Sequence, residues 1–142
     1  MHWFKKQQPT PEGMELAERC KLEAESLYRS GRMHCAEAVL FTISRHFVPE
    51  APAEVVNLAS GFGHGSWSQC ICGAISGGTV ALGLALKEDK KQVNHLTREL
   101  HHWFKEQYRV TCCKTITSEH KGVCPVLTGE VAGKIAEMLS RK

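Results

Sequence analysis

A run of small and apolar residues in the middle of the chain constrains the fold more than any other feature. In the stretch SQCICGAISGGTVALGLAL, residues 68–86, the small residues Gly73, Gly77, Ala81 and Ala85 recur every four positions. On a helix this spacing places them on one side as a smooth ridge, against which a second helix can pack closely. We therefore predict a central helix with a close helical neighbour.

Helical periodicity runs through most of the remaining chain, and no segment shows the two-residue alternation of a strand. The predicted helices span residues 11–30, 34–47, a short 54–60, the central 68–86, 91–108, and a last segment capped by Thr128. Thr10 before Pro11 has the pattern of a helix N-cap. We predict one all-α domain over residues 1–142, a compact bundle of about five main helices, with residues 1–10 as a flexible N-terminal tail.

A glycine-rich segment, SGFGHGSWSQ, leads into the central helix. It contains Gly61, Gly63 and Gly65, and such a spacing indicates a loop whose backbone bends sharply. Ser66 or Ser68 is positioned to cap the helix that follows.

Charge and hydropathy exclude several classes of protein. The formal net charge is +3, too small and too mixed to indicate a nucleic-acid surface. The N-terminal sequence MHWFKKQQPTP lacks the apolar core of a signal peptide. The longest apolar run, residues 75–86, is too short to span a bilayer. We expect a cytoplasmic protein that does not insert into membranes.

Cysteine is the unusual component of the chain. There are seven: Cys20, Cys35, Cys70, Cys72, Cys112, Cys113 and Cys124. An odd number without a secretion signal argues against a framework of structural disulfides and favours metal ligation or thiol chemistry.

Several of these thiols lie near predicted helix starts, where unpaired backbone N–H groups and the helix dipole lower a thiol pKa. Cys70 and Cys72 fall in the first turn of the predicted central helix, and Cys35 lies at the start of the second helix. Cys72 adjoins Gly73, which leaves its sulfur open, so we expect it to have the lowest pKa of the seven. Cys20 lies mid-helix and is expected to be a plain core or surface residue.

The residues CAEAVL (35–40), CGAISGG (72–78), the second cysteine of FKEQYRVTCC and the later Cys124 resemble a known family of redox-active proteins. That family is named for its C_GCAxxG_C_C cysteine pattern, and the resemblance spans about residues 25–140. It implies a small helical protein with thiol redox chemistry. It marks four family positions, Cys35, Cys72, Cys113 and Cys124. The remaining cysteines, Cys20, Cys70 and Cys112, are extras.

The first functional hypothesis is thiol–disulfide exchange. An enzyme with this chemistry would be a thiol oxidoreductase. Cys72 would attack, and Cys113 or Cys124, on the segment expected to be mobile after helix 91–108, would resolve the product. His64 would act as a base or hydrogen-bond a thiolate, and Trp67 would shield the site. The partner would be a redox protein or a small thiol, and an oligomer is compatible with the sequence.

The second hypothesis is a metal site made by the same four family cysteines, Cys35, Cys72, Cys113 and Cys124. Four thiolates can hold zinc or an iron–sulfur cluster, although the paired CxxC spacing typical of such sites is missing. Cys70 and His64 are further candidate ligands. The third hypothesis is a binding module in which the thiols have no chemical role.

Overall fold

The computed structural model describes residues 11–141, which form an all-α fold, as predicted. The α-helices of this part of the chain are α1 (Pro11–Arg29), α2 (Cys35–Phe47), α3 (Gly73–Leu86), α4 (Lys90–Tyr108), α5 (Cys113–Glu119) and α6 (Cys124–Leu139). A 3₁₀ helix, Ala53–Phe62, connects α2 to the glycine-rich loop. An isolated antiparallel bridge pairs Ile71 with Cys112. The predicted tail and its Thr10 cap lie outside the described residues.

The core lies between α1, α2, α3 and α6, with α4 packed along the outer side of α3. Helix α4 buries only Leu96, Leu100 and Phe104, a spacing of four residues that gives it one apolar face and one polar face. Helix α3, by contrast, has no charged residue and only Ser76 and Thr79 as polar residues, as expected of a helix covered on several sides. None of the helices described is long and apolar enough to cross a membrane.

The predicted small-residue ridge of α3 packs against α2, and the two helices approach most closely at Gly77. A Cβ atom added to Gly77 would lie 2.7 Å from the Cα of Ala36 and still closer to its carbonyl oxygen. Real Cβ atoms do not approach other heavy atoms this closely, so the two backbones touch where only glycine fits. On the neighbouring side of α3, a Cβ at Gly78 would lie 2.7 Å from the Cδ1 of Ile135 on α6.

Helix α3 begins at Gly73, five residues later than predicted. The preceding residues Ser66, Trp67 and Gln69 have φ angles of 58°, 55° and 58°. A right-handed helix cannot continue through residues in this left-handed region. Cys70 therefore precedes the helix. The sequence had predicted that Cys70 lies in its first turn.

The segment after α4 was expected to be a mobile loop, but it contains α5. Helix α6 then begins at Cys124 and has Pro125 in its first turn, a favoured position for proline. Thr128 is fully buried inside α6 and does not cap it. The described residues thus contain six α-helices where about five were predicted.

Replacing Gly77 with alanine should lower the free energy of unfolding by about 1–3 kcal/mol, because the new methyl group would overlap the Ala36 backbone. Gly83 is the matched control on the same helix, since a Cβ there has no neighbour within 4 Å. Gly83→Ala should stabilise the protein by up to about 1 kcal/mol through helix propensity. Urea unfolding of both variants measures the difference, and equal effects would contradict the backbone contact.

Candidate functional site

The four family cysteines line one cavity of about 250 Å³. Cys35, Cys113 and Cys124 are the first residues of α2, α5 and α6, and Cys72 is the N-cap of α3. Each thiol therefore comes from the N-terminal end of a different helix. Cys35 lies in the first turn of its helix, as predicted, whereas Cys72 is the N-cap of α3 and was expected inside the first turn. Cys113 and Cys124 also lie at helix starts.

Cys35 and Cys72 meet because α2 and α3 lie so close together. A Cβ at Gly73 would lie 2.5 Å from the Cys35 sulfur and 2.6 Å from the carbonyl oxygen of Phe62. The hydrogen atom of Gly73 thus leaves the space that the Cys35 sulfur occupies. This glycine has a role in the site as well as in helix packing.

The bridge between Ile71 and Cys112 joins the starts of α3 and α5. The backbone N–H of Cys72 donates to the carbonyl of Thr111 at 2.7 Å, and the N–H of Cys113 donates to the carbonyl of Cys70 at 2.5 Å. These two hydrogen bonds hold Cys72 and Cys113 on the same side of the molecule although they are far apart in the chain.

Burial dominates the electrostatics of the cavity thiols. It raises the pKa of Cys72 to about 12, although the backbone N–H groups of Ala74 and Ile75 act in the opposite direction. Burial likewise raises the pKa of Cys35 and of Cys113. The expectation that Cys72 has the lowest pKa is therefore wrong, because loss of solvent outweighs the helix N-terminus.

The thiol with a lowered pKa is Cys112, which does not line the cavity. A hydrogen bond with the Thr115 side chain lowers the Cys112 pKa most, and the backbone N–H of Thr115 adds to the effect. Cys112 is partly accessible to solvent. The sequence had classed it as an extra cysteine without an assigned role.

Two polar residues of the cavity were not anticipated from the sequence. Tyr28, near the end of α1, lines the cavity together with Cys124, and burial followed by the charge of Cys124 raises the tyrosine pKa. Thr128 lies one turn after Cys124, and its buried hydroxyl has no hydrogen-bond partner. For Tyr28, an aromatic residue just before the Gly31 turn, its place near a helix end was a sequence feature that could have suggested a role in the site. No local sequence feature indicates that Thr128 lines the cavity.

The glycine-rich loop forms another wall of the cavity, with His64 and Trp67 among the lining residues. The backbone N–H of His64 hydrogen-bonds the Cys35 sulfur and lowers that pKa, in opposition to burial. The contact expected of the His64 imidazole is thus made by its main chain. The Trp67 indole N–H donates to the Ser60 carbonyl at 2.9 Å, and its ring packs edge-on against His34 with centroids 4.7 Å apart.

The remaining thiols lie outside the cavity. Cys20 is fully buried in the core, as expected, and burial raises its pKa to about 12. Cys70 is exposed. All seven cysteines are free thiols in this structure. Within residues 11–141, no group of three or more His, Cys, Asp or Glu side chains is arranged to hold a metal ion.

A comparison with family models matches residues 33–138 of the 142-residue chain to the family described as "Putative redox-active protein (C_GCAxxG_C_C)". The protein belongs to this redox-active family. The chain matches none of the curated proteins and none of the solved structures with which it was compared.

Alkylation at neutral pH should modify Cys112 at least about tenfold faster than Cys72, because the thiolate reacts and only Cys112 is both accessible and lowered in pKa. Site-resolved mass spectrometry after short exposure to iodoacetamide measures both rates. Faster labelling of Cys72 would mean that burial does not control its reactivity.

Alkaline pH should destabilise the fold. Folding raises the pKa of Cys20 and of Cys72 from 9.0 to about 12. Their contribution to the free energy of unfolding is therefore fully present below pH 9.0. That contribution is lost as the pH rises from the unfolded pKa towards the folded one. Each thiol should lower the free energy of unfolding by about 1.4 kcal/mol per pH unit in this window.

Urea unfolding at several pH values measures this slope. Cys20→Ala removes one of the thiols whose pKa folding raises and should make the slope shallower. An unchanged slope in that variant would show that other groups control the alkaline transition.

Proposed function

We propose that this protein carries out thiol–disulfide exchange with the four family cysteines in its cavity. The observation that carries the proposal is the convergence of four thiols, each from a different helix start, on one enclosed space. A resolving thiol within reach of an attacking thiol is the requirement of such chemistry. Membership of the redox-active family supports the same conclusion.

Cys113 and Cys124 are the best-placed reacting pair. After burial, the charge of Cys124 is the largest cause of the raised Cys113 pKa, which indicates that the two sulfurs are close neighbours. Cys124 is also the family cysteine that is not fully buried. Joining the two closes a short loop, which stabilises the oxidised form by roughly 2–3 kcal/mol in the chain-entropy model.

The oxidant in this scheme is a disulfide of a small thiol or of a partner protein. The thiolate of Cys124 attacks one sulfur of that disulfide and releases the first thiolate. Cys113, losing its proton to solvent, then attacks the Cys124 sulfur of the mixed disulfide. The second thiolate leaves, and each released thiolate takes up one proton. The external disulfide is thereby reduced to two thiols while two protein thiols become one disulfide.

Cys35 and Cys72 form the deeper half of the set. A Cys35 thiolate would accept hydrogen bonds from the backbone N–H groups of His64, Ala36 and Cys35 itself. The charge of Cys35 is in turn the second cause, after burial, of the raised Cys72 pKa. We assign this pair to a second exchange that receives the disulfide from Cys124, and Cys72 is no longer the first nucleophile.

The test is peptide mapping of the protein before and after treatment with oxidised glutathione and then dithiothreitol. The wild type should form a reversible Cys113–Cys124 disulfide, and Cys124→Ser should lose it while remaining helical by circular dichroism. Cys20→Ala is the control, because Cys20 lies in the core outside the cavity, and it should behave as the wild type.

Elemental analysis of the same preparation separates the hypotheses. Stoichiometric zinc or iron together with no reversible disulfide would overturn thiol exchange in favour of a metal centre. Neither metal nor disulfide would indicate a binding module.

A further inference from the structure

We infer that Cys70, an exposed cysteine outside the family set, is the entry point of a relay that passes a disulfide through Cys113 into the cavity. Cys70 faces solvent, whereas Cys113 is 7% exposed and lines the cavity. The two residues therefore lie on either side of the boundary between solvent and the enclosed thiols.

The backbone brings these two cysteines face to face. They flank the Ile71–Cys112 bridge on opposite strands of the pair, and the N–H of Cys113 donates to the Cys70 carbonyl at 2.5 Å. Residues that exchange both hydrogen bonds across a regular antiparallel pair have Cα atoms about 5.5 Å apart; Cys70 and Cys113 share one of these two bonds, because the Cys70 N–H donates to the Gly65 carbonyl. That separation lies inside the range of about 4.4–6.8 Å in which a disulfide forms without backbone movement.

Gly65 provides independent evidence that the two residues share one space. A Cβ at Gly65 would lie 2.6 Å from the Cys70 nitrogen and 2.7 Å from the Cys113 Cβ. Gly65 also has a φ of +63°, and its carbonyl accepts a hydrogen bond from the Cys70 N–H at 2.9 Å. The glycine-rich loop thus holds Cys70 against the start of α5, with no side chain between the two cysteines at this point.

Cys112 cannot serve as the entry point although it is the more reactive thiol. The Cys112 sulfur lies 4.0 Å from the Gln69 carbonyl oxygen, and Cys112 does not line the cavity, whereas Cys113 does. A disulfide between the adjacent residues Cys112 and Cys113 is strained. A mixed disulfide on Cys112 therefore has no direct route into the cavity.

The relay consists of balanced thiol–disulfide exchanges and starts from an external disulfide of a small thiol. The Cys70 thiolate attacks this disulfide, forms a mixed disulfide and releases one thiolate. Cys113 gives its proton to solvent and attacks the Cys70 sulfur, which releases the second small thiolate and forms Cys70–Cys113. The Cys124 thiolate then attacks the Cys113 sulfur, and Cys70 leaves as a thiolate.

The relay is a second and faster route to the Cys113–Cys124 disulfide than direct attack by the less exposed Cys124. It depends on the proposed exchange function, and the experiment must separate the two. Reduced protein is mixed with oxidised glutathione, quenched with acid at intervals, and mapped by mass spectrometry. Cys70→Ser should slow formation of the Cys113–Cys124 disulfide at least about tenfold, because the accessible thiolate that starts the exchange is lost. Cys112→Ser, the matched control at a second accessible thiol outside the cavity, should leave that rate unchanged.

A second variant traps the intermediate. Cys113→Ser should accumulate the glutathione adduct on Cys70, since the thiol that resolves it is absent. Cavity oxidation in Cys70→Ser at the wild-type rate would overturn the relay and leave the exchange function standing. A wild type that stops at the Cys70–Cys113 disulfide would overturn both the relay into the cavity and the exchange function of the cavity thiols.

Discussion

The backbone contact between Gly77 and Ala36 is the constraint on which the site depends. It brings α2 and α3 closer than side chains normally allow. Cys35 directly precedes Ala36, and Gly73 lies one turn before Gly77, so the same crossing places the Cys35 sulfur against the start of α3. Substituting any residue with a Cβ at Gly73 or Gly77 therefore disturbs helix packing and thiol geometry together. Gly73, Gly77 and Cys35 therefore all belong to the contact between α2 and α3.

The chemistry of the cavity is set by a competition between two opposing effects. Helix N-termini offer N–H groups that stabilise thiolates, and Cys35 and Cys72 both receive such hydrogen bonds. Removal from water penalises the charged form more strongly, so the pKa of each of these thiols is raised. The enclosed thiols are thus stored in their neutral form, and reaction depends on a disulfide sulfur reaching them. Accessible thiols outside the cavity become important for this reason.

The sequence was informative where the cause is local and less so where distant segments meet. The recurrence of glycine and alanine predicted the ridge around Gly77 because helical periodicity is a local property. The start of α3 was misplaced because Ser66 gave a good capping signal, whereas the left-handed conformation of the loop is imposed by its surroundings. The start of α6 was also misplaced. Pro125 indicated the correct start, but threonine is a common N-cap residue, and the prediction used Thr128. The cavity and the burial of Cys72 arise from contacts between segments far apart in the chain, and no local pattern reports them.

The Ile71–Cys112 bridge has a consequence for how the interior is reached. It is held by two backbone hydrogen bonds whose donors are the amides of Cys72 and Cys113. An isolated bridge lacks the cooperative support of a sheet, so it belongs among the elements that open locally at low free energy. Its opening frees both amides at once and separates the start of α5 from that of α3, while the helices of the core stay folded. Hydrogen exchange at these two amides therefore measures how often the start of α5 separates from the start of α3.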